Sequence, residues 1–186
     1  MHSRSSRILL RNTTMVIILE GCDKTGKSTL AQYIVEKYGF KLIKCSQPKK
    51  GEAYNEYTGI IEKISKGKEN YVIDRMHLGE EVYGPIYRGR SELTQEQFQD
   101  IEKRLNDLNT VLIYCYDREE NIARRFIDDG ETFTKTENIQ DILDKYLVVV
   151  KKSALPKYRH KMKGQMDLIK NGEINKIIKK WLFIGK

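Results

Sequence analysis

The run Gly21-Cys-Asp-Lys-Thr-Gly-Lys-Ser28 fits the spacing G-x-x-x-x-G-K-[ST] at every fixed position. Each of those positions suits a polyphosphate. Glycines let the backbone bend until its N–H groups face a β-phosphate, Lys27 reaches the β- and γ-oxygens, and the Ser28 hydroxyl can ligate Mg²⁺. Gly21, Asp23, Lys24, Thr25, Gly26, Lys27, Ser28 and Thr29 are thus candidate contacts for ATP, with Mg²⁺ as its companion ion. A second pair able to do chemistry, Asp74-Arg75, closes the apolar run Tyr71-Val-Ile. Ligands in open α/β sheets bind beyond the carboxyl ends of the strands, although a strand-end salt bridge would read the same way.

The elements that must position these residues are legible around them. Met15-Val-Ile-Ile-Leu19 is a short β-branched run suited to a buried parallel strand. A helix from Thr29 to Tyr38 follows, with Leu30, Tyr33, Ile34 and Lys37 on one face and Gly39 as its stop. Its N-terminal dipole would point at the phosphates. Phe40–Cys45 reads as a second strand ended by Ser46-Gln47-Pro48, Ala53–Lys66 as a helix, and Tyr71–Arg75 as a third strand. Residues 76–92 hold glycines, Pro85, Arg88 and Arg90 without clear periodicity, and read as a functional loop. In that loop Tyr83 and Tyr87 are open to two readings, packing or base stacking. His77 reads as a hydrogen-bonded strand-exit residue before it reads as a proton shuttle.

Further along, Thr94 and Gln97 predict a capping box, with Leu93 stapled to Phe98, for a helix reaching about Leu108. Thr110–Tyr116 is a fourth strand, and Asp117 with Glu120 predicts a second capping box; Asp117 suits that cap better than a second Mg²⁺ acid. Residues 128–136 resemble a mobile lid, and the helix beyond it carries Ile139, Ile142, Leu143, Tyr146, Leu147 and Val150 on one stripe. A strand is expected within 158–170, and Glu173–Leu182 should be a basic amphipathic helix with Ile174, Ile177, Ile178, Trp181 and Leu182 inward.

Bulk properties narrow the class. The 186 residues suit one domain over 15–186, preceded by a flexible or upstream arm at 1–14; an arginine-rich transit peptide is the third reading of that arm. No apolar run is long enough to span a bilayer, so the expectation is a soluble cytoplasmic protein with no membrane partner. Cys22, Cys45 and Cys115 lack metal-ligand spacing and read as small buried hydrophobes in a reducing compartment. Residues 151–186 hold eleven Lys/Arg and two acids, so the net charge of +8 belongs to that segment. It reads as a solvated helical face before it reads as a nucleic-acid contact.

The order of strands, helices and lid is that of the P-loop nucleoside and nucleotide kinases. Within them, EGCDKTGKST, YVIDR at a strand end and a lid after the fourth strand resemble the thymidylate kinase group, over about residues 15–150. The resemblance implies a three-layer α/β fold with a five-stranded, mostly parallel sheet. It further implies phosphoryl transfer from ATP to a deoxynucleoside monophosphate, dTMP-like, forming the diphosphate. By that likeness Asp23 would face the acceptor sugar, Arg75 would bind the acceptor phosphate, and Asp74 would hold a Mg²⁺-bound water or position the attacking oxygen. Lys24 matches a subgroup that carries its basic residue in the P-loop instead of the lid, with Arg124 and Arg125 in reserve. The catalytic set is then Lys27, Lys24, Asp74 and Arg75, and the metal set Ser28 and Asp74.

Gln47, Lys49, His77, Tyr83, Tyr87 and Arg88 complete the acceptor-side candidates, with Arg124 on the ATP side. One departure matters: where the family usually has an arginine followed by EP or FP, this chain reads Ser46-Gln47-Pro48, leaving Lys49 or Lys50 for the acceptor phosphate. The missing glutamate counts against a deoxynucleoside kinase. A kinase acting on a hydroxyl in DNA, or on a modified base in DNA, is the alternative motivated by the basic C-terminus; a non-catalytic nucleotide switch lacks a base-specificity motif here. Substrate base and a homodimer stay open.

Overall fold

The computed structural model describes residues 14–130, 138–161 and 172–183, without the side chains of 160–161 and 181–183. Most of the expected lid and nearly all of the N-terminal arm lie outside these residues, as do the side chains of Trp181 and Leu182. Twelve elements follow one another: β1 (Val16–Glu20), α1 (Lys27–Tyr38), β2 (Lys41–Lys44), α2 (Ala53–Lys66), β3 (Tyr71–Asp74), α3 (His77–Arg88), α4 (Gln95–Asn106), β4 (Thr110–Tyr116), α5 (Glu119–Asp128), α6 (Ile139–Lys152), β5 (Lys157–Lys161) and α7 (Glu173–Phe183).

The strands form one sheet in the order β2-β3-β1-β4-β5, every pair parallel. All five residues of central β1 are buried because it is covered on both faces, which is why its sequence is continuously apolar up to Glu20. Alternation along the strands sorts side chains into two cores. Val16, Ile18, Ile73, Leu112 and Tyr114 face α2 to α6. Ile17, Leu19, Val72, Val111, Ile113 and Cys115 face α1 and α7, whose Ile174 and Ile178 are fully buried. The result is the three-layer α/β arrangement expected, and among the described residues the sheet is wholly parallel.

Registers set the site. Leu19 pairs with Asp74 on one side and with Ile113 on the other, so β1 and β3 end side by side. The chain then leaves them through two strained or glycine-only turns. Gly21 has φ 145°, and a Cβ there would lie 2.0 Å from the Cys115 carbonyl oxygen, so only glycine lets the loop pass β4. Gly26 and Gly39, both left-handed, bracket α1.

Two expectations are corrected. Residues 76–92 are largely helical. In α3, Leu78 and Val82 are buried one turn apart and Ile86 packs beside them, but two glycines and Pro85 obscured that stripe. Gly84 is there for space: its Cβ would meet the Arg90 carbonyl at 2.7 Å and Glu80 Oε1 at 2.8 Å, where the chain doubles back against the helix. The second correction concerns α5, whose N-cap is Arg118 with no side-chain cap. Asp117 instead accepts from the Arg118 amide and Asn121 Nδ2, each within hydrogen-bond distance, and pairs with Arg125. By contrast the Thr94–Gln97 capping box is complete, with Leu93 and Phe98 both buried. The strand expected in 158–170 is β5, which starts one residue earlier. Among the described residues no helix is long and apolar enough to cross a membrane.

Gly84→Ala should destabilise the protein by about 1–3 kcal/mol, since overpacking against a backbone carbonyl leaves nothing flexible to move. Thermal denaturation reads it as a lowered Tm; an unchanged Tm would mean that the 89–92 turn yields at no cost.

Candidate active site

Two hollows meet at the carboxyl ends of β1 and β3. The smaller, about 300 Å³, lies over the P-loop and is bordered by Lys24, Gly26, Lys27, Ser28, Thr29, Arg125, Asp128 and Asp129. The larger, about 420 Å³, runs between β2, α2, α3 and α6, with Gln47, Tyr57, Glu80, Tyr83, Tyr87 and Arg88 among its walls. Asp23 and Arg75 border both, and they form an ion pair. The boundary between the hollows is therefore a carboxylate–guanidinium pair.

Within the P-loop, Thr25 Oγ1 and Lys27 Nζ both donate to the Cys22 carbonyl, at 2.7 and 2.6 Å. Lys27 is buried, and burial pulls its ammonium below the ordinary value, opposed by nearby groups that include Asp74 and Glu20. Ser28 Oγ donates to Asp74 Oδ2 at 2.7 Å, while Asp74 Oδ1 is buried with no partner among the described residues. A hydroxyl and a half-satisfied carboxylate suit a hard, oxygen-seeking cation such as Mg²⁺. Among the described residues no group of three or more His, Cys, Asp or Glu could hold a metal by itself.

Lys24 adopts φ 61° and its ammonium contacts Asp129 Oδ2 at 2.6 Å. Arg125 donates to the Lys24 carbonyl at 2.8 Å and is itself held by buried Asp117. So the arginine that reaches the P-loop from α5 is Arg125; Arg124 is exposed and borders neither hollow. Arg75, at φ 65°, is the other strained residue of the site, and its Nε is buried without a partner among the described residues.

Along the larger hollow, Tyr83 and Tyr87 stack with ring planes 11° apart, and Tyr87 is half exposed. Arg88 pairs with buried Glu80, whose Oε1 also accepts from the Glu92 amide at 2.8 Å. Gln47 borders this hollow, whereas the exposed Lys49 does not. Lys50 lies with Arg88 and Arg90 around an adjoining depression. His77 is not brought to either hollow. Its ring is fully buried against Phe98, and Nε2 lies 2.7 Å from Glu102 Oε1.

Cys22 and Cys45 border the larger hollow, and burial pushes their thiols up to about 11 and about 12, so both are poor nucleophiles. Cys45 is only half-buried, in departure from the buried role expected of it.

The residue that sequence reasoning passed over is Glu20, although the motif began with it. Its carboxylate is fully buried and accepts from the Met76 amide at 2.8 Å, the Gly79 amide at 3.3 Å and the Tyr146 hydroxyl at 3.2 Å. Burial pushes this carboxyl up, opposed by His77, the Met76 amide and Lys27. A charged residue closing an otherwise apolar strand was the available signal.

This is the architecture of the P-loop kinase fold, and solved structures of similar shape share it. The YorR protein of Bacillus subtilis, in complex with phosphorylated GDP, superposes with a TM-score of 0.74 at 22% identity, covering 88% of this chain and 95% of that one. Polyphosphate kinase 2 from Arthrobacter aurescens TC1 gives 0.70 at 17%, covering 92% and 68%. Deoxyadenosine kinase from M. mycoides with bound dCTP gives 0.56 at 18%, covering 87% and 100%. At these identities the likeness is one of fold. No protein-family model and no curated protein sequence matches the chain.

The Glu102 network yields a pH-dependent expectation. Burial pushes this carboxyl up, but hydrogen bonds from His77, Ser153 and the Ala154 amide outweigh burial and hold it below its ordinary value. A depressed carboxyl contributes stability above its unfolded range, about 4.3, and loses it as pH falls through the folded value. Glu102→Gln should lower Tm at neutral pH, with the deficit relative to wild type shrinking below about pH 4. A deficit independent of pH would show that charge at Glu102 is not what the network uses.

Proposed function

We propose that the protein transfers the γ-phosphoryl group of ATP to a deoxynucleoside monophosphate, in the manner of the thymidylate kinase group. The observation that carries this reading is the Asp23–Arg75 pair standing between a phosphate-sized hollow over the P-loop and a larger cleft with a stacked tyrosine pair. Donor and acceptor would meet across it. P-loop amides and Lys27 would bind the triphosphate, and Ser28 with Asp74 would hold Mg²⁺. Bound there, Mg²⁺ supplies charge neutralisation on the β- and γ-oxygens. Arg75 would orient the acceptor phosphate, whose oxygen forms the new P–O bond as the bond to the β-phosphate breaks and ADP leaves. Such transfer asks mainly for positioning and charge stabilisation, which suits a site without a poised histidine.

Tyr83 and Tyr87 would stack on the acceptor base, and Asp23 would accept from a sugar 3′-hydroxyl. Lys24 would neutralise developing charge after exchanging Asp129 for phosphate oxygens, with Arg125 holding its backbone in place. The nucleotide-bearing structures of YorR and deoxyadenosine kinase support a nucleotide ligand. A phosphorylated acceptor is preferred to a nucleoside because Ser46 and Gln47, not a carboxylate, follow β2 at the cleft. A free nucleotide is preferred to DNA because basic α7 packs through Ile174 and Ile178 on the sheet face opposite the cleft. A soluble, single-domain cytoplasmic enzyme is part of the same reading.

Lys27→Ala should leave the fold intact and lower turnover by orders of magnitude; an unchanged rate removes the P-loop from the reaction. ADP release measured across dTMP, dUMP, dGMP, thymidine and an oligonucleotide identifies the acceptor, and exclusive use of thymidine or the oligonucleotide overturns the proposal.

Arg75→Ala should cost acceptor use about 1.5–3 kcal/mol, the worth of a charge-assisted contact, with ATP affinity nearly unchanged. An ATP Kd that rises as much as the acceptor KM would refute the assignment.

DNA binding should be weak near physiological salt in an anisotropy titration. Tight binding that falls steeply with salt, about 0.9 log units per log unit of salt for each phosphate contacted, would favour the polymer reading.

A further inference from the structure

Arg75 is the only described residue that touches both hollows with a cationic head and sits at a positive φ within the third strand's exit. A non-glycine residue in the left-handed region costs of order 1–3 kcal/mol and persists only where its surroundings over-determine it. The surroundings here are two hydrogen bonds, one on each side of the strained residue. Arg75's own amide donates to the Leu19 carbonyl at 2.9 Å, continuing the β1–β3 ladder by one rung. The next amide, Met76, has left the ladder and would be an orphan; it donates to Glu20 Oε1 at 2.8 Å. Both acceptors belong to adjacent residues of β1, Leu19 and Glu20, and the next residue is the first glycine of the P-loop.

The same carboxylate closes the start of α3. Glu20 Oε1 also takes the Gly79 amide at 3.3 Å, which it shares with the Met76 carbonyl at 3.2 Å, so one oxygen serves two amides of the helix's first turn from another element. Its other oxygen takes the Tyr146 hydroxyl from α6. Met76 and Gly79 both border the acceptor cleft, and a Cβ at Gly79 would make only ordinary contact, at 3.6 Å, with Glu20 Oε2 and the Tyr146 hydroxyl. A fully buried carboxylate bonded only to neutral donors is expensive to keep unless it positions something.

We infer that Glu20 is a positioning residue for the phosphoryl acceptor: it holds the left-handed turn at Arg75 and the first turn of α3, and so aims the guanidinium at the boundary of the two hollows. The inference rests on the acceptor role proposed for Arg75 and adds that this role depends on a residue that touches no substrate. It also explains why a carboxylate ends β1, where every other residue is apolar. The carboxylate is part of the strand that becomes the P-loop, so the geometry of the donor loop and that of the acceptor arginine are set by one stretch of backbone.

The test is a double-mutant cycle in the full-length protein with Glu20→Met, Arg75→Ala and the pair, read as acceptor KM, kcat and MgATP Kd, using the acceptor that the nucleotide panel identifies. Glu20→Met keeps the length of the side chain but has no oxygen for either amide, where a glutamine would keep one for both and donate to the Tyr146 hydroxyl. It should raise acceptor KM or lower kcat by roughly tenfold to a hundredfold, the scale of a misplacement near an ångström, with MgATP Kd close to wild type. In the Arg75→Ala background the same change should have little further effect on acceptor KM. Equal effects in both backgrounds, or an equal loss of MgATP affinity, would show a merely structural carboxylate and overturn the inference.

A readout independent of substrate accompanies it. Amide hydrogen exchange at Met76 should accelerate at least about tenfold in Glu20→Met while the amides of β1 keep their protection. Unchanged protection at Met76 would also overturn the inference. Tyr146→Phe, which leaves both amide bonds to Glu20 in place, should keep acceptor KM near wild type. If Arg75→Ala alone leaves acceptor KM unmoved, the acceptor role of Arg75 fails, and the exchange experiment still decides whether Glu20 holds the turn.

Discussion

Everything at this site depends on the register between β1 and β3. Parallel pairing of Leu19 with Asp74 ends two strands at the same height, so that one turn becomes a glycine-rich phosphate loop and the other presents Asp74 and Arg75 to it. A slip of one residue would turn each side chain to the opposite face of the sheet and separate Ser28 from Asp74. The register is held because β1 is buried on both faces, between two apolar layers that each read alternate residues of the same strand. Gly21 adds a second constraint, since its approach to the Cys115 carbonyl ties the loop to β4 as well.

The charges around the two hollows are mostly committed to one another: Asp23 with Arg75, Lys24 with Asp129, Arg125 with Asp117, and Arg88 with Glu80. Such pairs keep long side chains in a narrow range of positions and lower the entropy lost when a ligand arrives. They also impose a condition, because a phosphate that takes an arginine or lysine must leave the former carboxylate partner either solvated or satisfied. Asp129 is well exposed and can be solvated; Asp23 borders both hollows and is positioned to take a donor from a ligand instead. Two of the five buried side-chain atoms without partners among the described residues, Asp74 Oδ1 and Arg75 Nε, carry opposite character and lie on consecutive residues, as a site for a cation beside an anion would require.

Much of the fold could be read in advance because the signals were local. The phosphate loop, the limits of α2 and β4, the Thr94–Gln97 cap and most of the buried stripe of α6 each follow from spacing within about a dozen residues, although Leu147, expected inward, is exposed and Val149 is buried instead. What could not be read was decided at a distance. Helix α3 contains two glycines and a proline that local propensity counts against it, and it forms because Leu78 and Val82 pack into the core and Glu20 closes its first turn. Asp117 looked like a cap from its position and proved to be an anchor for Arg125, one helix turn beyond the reach of a capping argument. Likewise the choice of Arg125 over Arg124 turns on which face of α5 meets the P-loop, and neighbours in sequence point about 100° apart on a helix.

The separation of the core into two layers has an evolutionary consequence. Elements that shape the larger hollow, α2, α3 and α6, are packed on one side of the sheet, while α1, which carries the end of the P-loop, is packed on the other. Substitutions far apart and without shared partners combine nearly additively. A lineage could therefore rebuild the larger hollow, residue by residue, with little disturbance to the P-loop. The exceptions are the few residues that both sides share, and Glu20, Asp23 and Arg75 are where drift toward a new substrate would be slowest.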